Sequence, residues 1–215
     1  MGCIAVQWDV AGRNCLVVGA GRTGRRRAGV LCRAGARVTV VAPDADEVDF
    51  PAGVVLERRE AVAGDLVGRD LVVLATDDAE VQASLSKKAA EFGVLVNRVD
   101  DGESGDITFL ATRSAGVLTV AVSTGGASAA ASGVIAEEAL SAVAGEWGGL
   151  LALVAGERAR IQSSMEAGAA RESLLRRLVD ERSRAAARSG EAALRAHWRG
   201  LWEASIAGRD GEVSA

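Results

Sequence analysis

The chain has 215 residues, 49% of them hydrophobic, with 25 Lys and Arg set against 29 Asp and Glu. That length fits one large domain, or a domain with a small partner, and the apolar content suffices for a true core. A net charge of −4 argues against nucleic acid as the main partner, because that role needs a broad basic face.

With no Tyr and three Phe, the core is expected to be built from Val, Leu, Ile and Ala. The first residues lack the basic start and small-residue cleavage site of a secretory signal. Met1-Gly2-Cys3 resembles a lipidation start, but Val6 breaks that pattern. No apolar run reaches the roughly 18 residues of a transmembrane helix, so no membrane association is expected. The three cysteines are widely spaced and His197 is the sole histidine. Neither a disulfide framework nor a resident metal site is expected from such a set. These features together predict a cytoplasmic protein.

Residues 4–9 read as a short strand or edge segment, with Trp8 capping the core. The stretch 14–43 organises the rest of the chain. An apolar run from Cys15 to Val18 leads into Gly19-Ala20-Gly21-Arg22-Thr23-Gly24, a complete G-x-G-x-x-G. A helix is predicted over 23–34 and a second buried strand over 38–41. Strand, glycine turn, helix and strand form the βαβ unit of a dinucleotide-binding fold. Gly19 permits the tight turn, Gly21 lets the backbone approach a pyrophosphate, and Gly24 lets the helix pack on the strand. The helix start then favours an anion through its free N–H groups and dipole. Arg22 and Thr23 lie in that turn. Arg25, Arg26 and Arg27 follow, and at about 100° per residue they cannot all face one point. Pro43 and Asp44 end the unit, Asp44 standing twenty positions beyond Gly24. An acid at about that distance binds the adenosine ribose of NAD, so NAD is favoured over NADP.

A third strand is predicted over 54–57, and a continuous apolar run over 71–75 marks a strand buried on both faces. Thr76-Asp77-Asp78 opens a helix, with Thr76 or Asp77 as N-cap. Its buried stripe is Val81, Leu85, Ala89 and Phe92, and Gly93 ends it. Residues 94–97 form the next strand. Parallel strands put Gly19, Asp44, Thr76 and Asn97 on one rim, where ligands of such sheets bind. Residues 97–106 add a polar loop with Asp100, Asp101, Glu103 and Asp106. Two further strands are predicted over 107–111 and 118–122. Ser123-Thr124-Gly125-Gly126-Ala127-Ser128 then precedes a helix reaching about Ala144, a second anion-receptive turn. Beyond Gly145, helices are predicted over 146–160, 171–188 and 191–205. Leu174, Leu175, Leu178 and Val179 form an apolar stripe there. Trp147, Trp198 and Trp202 serve as anchors, and His197 reads as a packing or surface residue.

Four of these segments, in order and spacing, resemble precorrin-2 dehydrogenase, the NAD-dependent module of siroheme synthases. They are the glycine turn, Ala75-Thr76-Asp77-Asp78, Asn97-Arg98-Val99-Asp100, and Ala121 to Ser128. The resemblance covers about residues 4–144 well and the rest in outline. It implies an α/β protein: a Rossmann-like doubly wound parallel sheet over 1–112, a dimerisation segment over 113–144, and a small helical domain over 145–215. It implies NAD as cofactor, precorrin-2 as the tetrapyrrole substrate, a homodimer, and no nucleic-acid or membrane partner. Some members also insert ferrous iron. The family's essential aspartate falls on Asp100, expected here as the proton acceptor. Cofactor contacts are expected at Gly19, Gly21, Arg22, Thr23, Gly24, Pro43, Asp44, Thr76 and Asp77. Substrate contacts are expected at Asn97, Arg98, Ser123, Thr124, Gly125, Gly126 and Ser128, with no metal ligands. The chain departs from the family pattern in three places. Asp101-Gly102 replace Ala-Pro, Ala129 replaces a proline, and Glu137 and Glu138 replace basic residues. Two other readings stay open: a non-catalytic nucleotide-sensing module, and a dehydrogenase of another small substrate.

Overall fold

The computed structural model describes residues 2–46, 50–99 and 105–212, with side chains in the last helix up to Ser205. Two compact units divide the chain, residues 1–109 and 110–215.

In the first unit, five parallel strands lie in the order β3-β2-β1-β4-β5. They are β1 (Asn14–Val18), β2 (Arg37–Val41), β3 (Val55–Glu57), β4 (Leu71–Leu74) and β5 (Leu95–Arg98). Helix α1 (Arg22–Arg33) crosses from β1 to β2, and α2 (Ala79–Phe92) from β4 to β5. The central strands are buried on both sides, so their sequences are runs of Val and Leu rather than alternations. Alternation survives in which face each residue serves. Leu16, Val18, Val72, Leu74 and Val96 join Leu85 and Ala89 of α2 on one face. Cys15, Val17, Val38, Val40, Leu71 and Val73 join Ala28 and Leu31 of α1 on the other.

Register aligns the strand ends. Val18 pairs with Val41 and Leu74, and Leu74 pairs with Arg98. The carboxyl ends of β1, β2, β4 and β5 therefore form one rim.

Several local expectations change. Residues 4–9 form no strand, although Trp8 does pack against the α1-side core. Ile4 and Val6 remain solvent-exposed. The cap of α2 is Asp78, whose carboxylate accepts from the N–H groups of Glu80 and Val81, rather than Thr76 or Asp77. Phe92 is 51% exposed and leaves the buried stripe, while Gln82 is buried within it. Residues 107–110 are not a strand; Ile107 and Phe109 instead pack against the α1-side core.

The second unit begins with an antiparallel hairpin, β6 (Ala111–Ala115) and β7 (Leu118–Val122). Helix α3 (Ala129–Ser164) packs on both strands and runs 36 residues without a break. The expected stop near Gly145 does not occur. A glycine inside a helix costs about 1 kcal/mol, and here packing overrides it. Leu150, Leu153, Val154 and Ile161 lie beyond Gly145 in a core shared with the later helices. This helix is also long and apolar enough to cross a membrane by length and composition alone, which was not expected. Its alanines, valines and leucines carry that apolar character. The predicted helix over 171–188 divides into α4 (Ala169–Arg177) and α5 (Glu181–Arg188), because Asp180 caps a new start through the N–H of Ser183. Helix α6 (Glu191–Glu212) completes the unit. Leu174, Leu178, Leu194 and Trp198 are buried there, with Trp147 and Trp202 packed beside them. His197 is half-buried, as its reading as a packing residue requires.

Candidate functional site

The rim begins at the β1–α1 turn. Its geometry requires glycine at two places and leaves space at a third. Gly19 has φ +103, and a Cβ there would lie 2.4 Å from the Ala75 carbonyl oxygen. A Cβ on Gly24 would lie 2.1 Å from the Gly19 carbonyl oxygen. The turn is thus pressed against the end of β4 while α1 is pressed against the turn. Over Gly21 the space is open, with no atom within 4 Å of a Cβ built there. Gly21 is also the N-cap of α1, without a side-chain capping bond, and no acid lies in the first turn. Helix N–H groups that no side chain satisfies, open space above them among the described residues and no acid in the helix's own first turn suit a pyrophosphate. These residues therefore fit a dinucleotide.

The arginines separate as the helix period demands. Arg22 and Arg26 are exposed, while Arg25 and Arg27 are half-buried. The Arg27 guanidinium lies over the Phe109 ring, 4.2 Å from its centre. Burial, reinforced by the Arg26 charge, lowers the Arg27 pKa to about 10. It stays cationic near neutrality, and its stacking on Phe109 is a packing role the sequence did not reveal. Thr23 is half-buried in the first turn of α1.

At the end of β2, Pro43 and Asp44 are exposed on a turn closed by Ala45 N–H to the Ala42 carbonyl at 3.4 Å. Arg58 Nε donates to the Ala45 carbonyl at 2.9 Å, and Ala42 N–H to the Glu57 carbonyl at 3.1 Å. The turn bearing Asp44 is thereby held at the end of β2. After β4, Thr76 lies against the glycine turn, its backbone nitrogen 2.9 Å from where a Gly19 Cβ would stand. Its hydroxyl accepts from Asp78 N–H at 3.3 Å, and Asp77 is exposed beside it.

Asn97 behaves differently from the expectation of a substrate contact. It is 3% exposed, and its Nδ2 donates to the Ile107 carbonyl at 2.7 Å. Position 97 falls inside β5, on the side turned into the protein. Asp106, one of the loop acids, accepts from Val96 N–H at 3.0 Å and returns its own N–H to the Val96 carbonyl at 2.8 Å. Asn97 and Asp106 thus fasten both feet of the loop after β5. Val99 N–H reaches the Leu74 carbonyl at 3.2 Å, tying the outgoing foot to β4. Arg98 is half-buried at the strand end. Asp100, with Asp101 and Glu103, lies outside the described residues.

In the second unit, the turn over 123–128 spends its hydroxyls on itself. Ser123 Oγ accepts from Gly125 N–H, and Thr124 Oγ1 accepts from Ser128 N–H, both at 3.1 Å. Ser128 Oγ caps α3 through Ala131 N–H at 3.1 Å. Gly125 and Gly126 take φ values of +61 and +87. Glu137, where the family pattern is basic, binds Arg113 of β6 at 2.7 Å. Cys15 is buried in the first unit, and burial raises its thiol to about 11, so it stays protonated and is no nucleophile.

Comparison with known proteins agrees with this geometry. The family described as "Putative NAD(P)-binding" matches residues 6–111. A siroheme synthase of Methylococcus capsulatus is 32% identical over 170 residues, 77% of this chain and 36% of the relative. Siroheme synthases of Stutzerimonas stutzeri and Azotobacter vinelandii are 40% and 42% identical over 123 residues, each 55% of this chain and 26% of the relative. The chain thus spans about a third or less of the curated relatives it matches. The solved structure of SirC, precorrin-2 dehydrogenase, superposes with a TM-score of 0.77 at 25% identity, covering 94% of this chain and all of that one. The chain belongs to the family formed by precorrin-2 dehydrogenases and the corresponding module of siroheme synthases.

Proposed function

We propose that this chain oxidises precorrin-2 to sirohydrochlorin with NAD, in the cytoplasm, as a step of siroheme biosynthesis. The observation that carries the proposal is the β1–α1 turn: uncapped, free of acids, and open above Gly21. The likeness to SirC over nearly the whole of both chains supports the substrate.

The reaction removes a hydride and a proton from the ring system. NAD supplies the hydride acceptor. The chain's own residues hold the dinucleotide, position the ring and take the proton. The turn over 19–24 with Arg22 and Thr23 would hold the pyrophosphate. Asp44 would accept from the adenosine ribose, and Thr76 and Asp77 would help to hold the cofactor. Asp100 takes the proton: an ionised carboxylate at neutral pH needs no further activation. Its supports are its match to the family aspartate and the fastened feet of its loop at the same rim as the glycine turn. Arg22, Arg25 and Arg98 pair with substrate carboxylates by charge-assisted bonds. Ser123, Thr124, Gly125, Gly126 and Ser128 contribute to tetrapyrrole binding on the strength of the resemblance. Asn97 acts through the loop rather than by touching substrate. Ferrous iron as a second substrate rests on the resemblance alone, since some members of the family insert it.

The functional form is a homodimer paired through residues 113–144. Val117, Val134 and Ile135 are exposed apolar residues in that segment, and two-fold pairing is the commonest way to cover such a face. A monomer in sedimentation at micromolar concentration would contradict it.

The test of the catalytic assignment is Asp100→Ala. Turnover of precorrin-2 should fall by about 10²–10⁴, the usual worth of general-base help, while NAD affinity stays unchanged. Loss of turnover in Asp101→Ala with none in Asp100→Ala would move the role to Asp101. Full turnover in both would favour a different base.

A further inference from the structure

Gln82 is the polar intruder on the buried face of α2. It stands three residues before Leu85 and seven before Ala89, both buried, so the helical period calls for an apolar side chain. Gln82 is instead a glutamine with 2% of its surface exposed. Its Nε2 donates to the Thr76 carbonyl at 2.7 Å, and its Oε1 is buried with no hydrogen-bond partner among the described residues. A buried amide left half satisfied is costly, and core stability alone would favour leucine or methionine. The single bond it makes goes to the rim.

That bond fixes a peptide plane. A trans peptide is planar, with its C=O and N–H pointing in opposite directions. Gln82 draws the Thr76 carbonyl toward the buried side of α2, so the N–H of Asp77 in the same peptide points away from it. The preceding peptide, Ala75–Thr76, is the one against which Gly19 is packed, at 2.4 Å from a Gly19 Cβ to the Ala75 oxygen. The Thr76 hydroxyl is meanwhile held by Asp78 N–H. The turn after β4 is therefore set from three sides: Gly19 below, Asp78 ahead and Gln82 from the core.

We infer that Gln82 is a positioning residue for the cofactor: it orients the Thr76–Asp77 peptide so that the Asp77 N–H faces the bound dinucleotide. This rests on the dinucleotide reading of the rim. The role explains why an apolar position holds an amide, since the amide serves ligand binding at the expense of core packing.

The experiment measures NAD affinity by calorimetric titration, and thermal stability of the unliganded chain, for wild type, Gln82→Leu and Gln82→Met. Each substitution removes the donor and the orphaned oxygen together while roughly keeping volume; relief of the orphaned oxygen offsets the loss of the Thr76 carbonyl's donor. The expected result is an affinity for NAD weakened about fivefold, the worth of one lost hydrogen bond, with a melting temperature equal to or above wild type. A structural role alone cannot raise stability and weaken binding together. Wild-type affinity in both variants would overturn the inference. So would a drop in melting temperature that accompanies the loss of affinity in both. Wild-type protein that fails to bind NAD would overturn the functional reading itself, whatever the variants do.

Discussion

Two glycine-containing turns precede helices in this protein, one before α1 and one before α3, and they use their glycines differently. Before α1, Gly19 and Gly24 are required by close approach, with backbone atoms 2.4 and 2.1 Å from where their Cβ atoms would stand. The helix start has no side-chain cap. Before α3, nothing lies within 4 Å of a Cβ on Gly125 or Gly126; only their positive φ asks for glycine. There Ser128 caps the helix, and Ser123 and Thr124 take up N–H groups of the same turn. Both turns look anion-receptive in sequence. The difference lies in whether the donors are already spent. A turn whose hydroxyls satisfy its own backbone has little left for a phosphate, whereas a bare turn pressed between a strand end and a helix leaves its N–H groups for a ligand.

The contrast can be broken most forcefully at Gly24. Gly24→Ala forces a methyl group against the Gly19 carbonyl and should cost about 3 kcal/mol, the top of the usual range for overpacking. The same change at Gly126 meets no neighbour and should cost only about 1–2 kcal/mol of backbone strain. Urea unfolding of the two variants measures the gap; equal losses would erase the distinction between crowded and open turns.

Gly21→Asp is the next largest effect. The new side chain has room, so stability should change little, but its charge would face the pyrophosphate. NAD affinity should fall by about tenfold or more, equivalent to about 1.4 kcal/mol, as read by titration.

Ser128→Ala sharpens the comparison from the other side. Removing a cap costs about 1 kcal/mol, and here it should appear as lower thermal stability with NAD affinity untouched. A loss of NAD affinity in this variant would mean that the second turn also serves the cofactor.

Much of the fold is legible in the sequence, for physical reasons. The glycines of the first turn follow a strand and precede a helix, and only one arrangement satisfies all three spacings. Val72, Val73 and Leu74 read as a doubly buried parallel strand because no polar residue interrupts them, and Gly93 ends α2 as expected. The features that escape a sequence reading are decided by partners distant in the chain. Thr76, Asp77 and Asp78 are all competent caps, and only in the fold is it Asp78 whose carboxylate meets the N–H groups of Glu80 and Val81. Asn97 has the sequence signature of a rim residue, yet Ile107, ten positions on, receives its amide. Arg27 has the signature of a solvated cation, yet Phe109 lies beneath it. Gln82 falls where the helical period marks a buried position, but its polarity argues for the surface, so its burial is not read from the sequence. The continuation of α3 through Gly145 is hidden because local propensity argues for a stop and only the helical core argues against one.

The central claim is that the rim bearing the first turn carries out NAD-dependent oxidation of a tetrapyrrole. The most direct measurement is incubation of the purified chain with precorrin-2 and NAD, following the visible spectrum of the ring and the fluorescence of NADH together. The account predicts that sirohydrochlorin and NADH appear in equal amounts and that Gly21→Asp slows both at limiting NAD. Binding of NAD without any spectral change of precorrin-2 would contradict it.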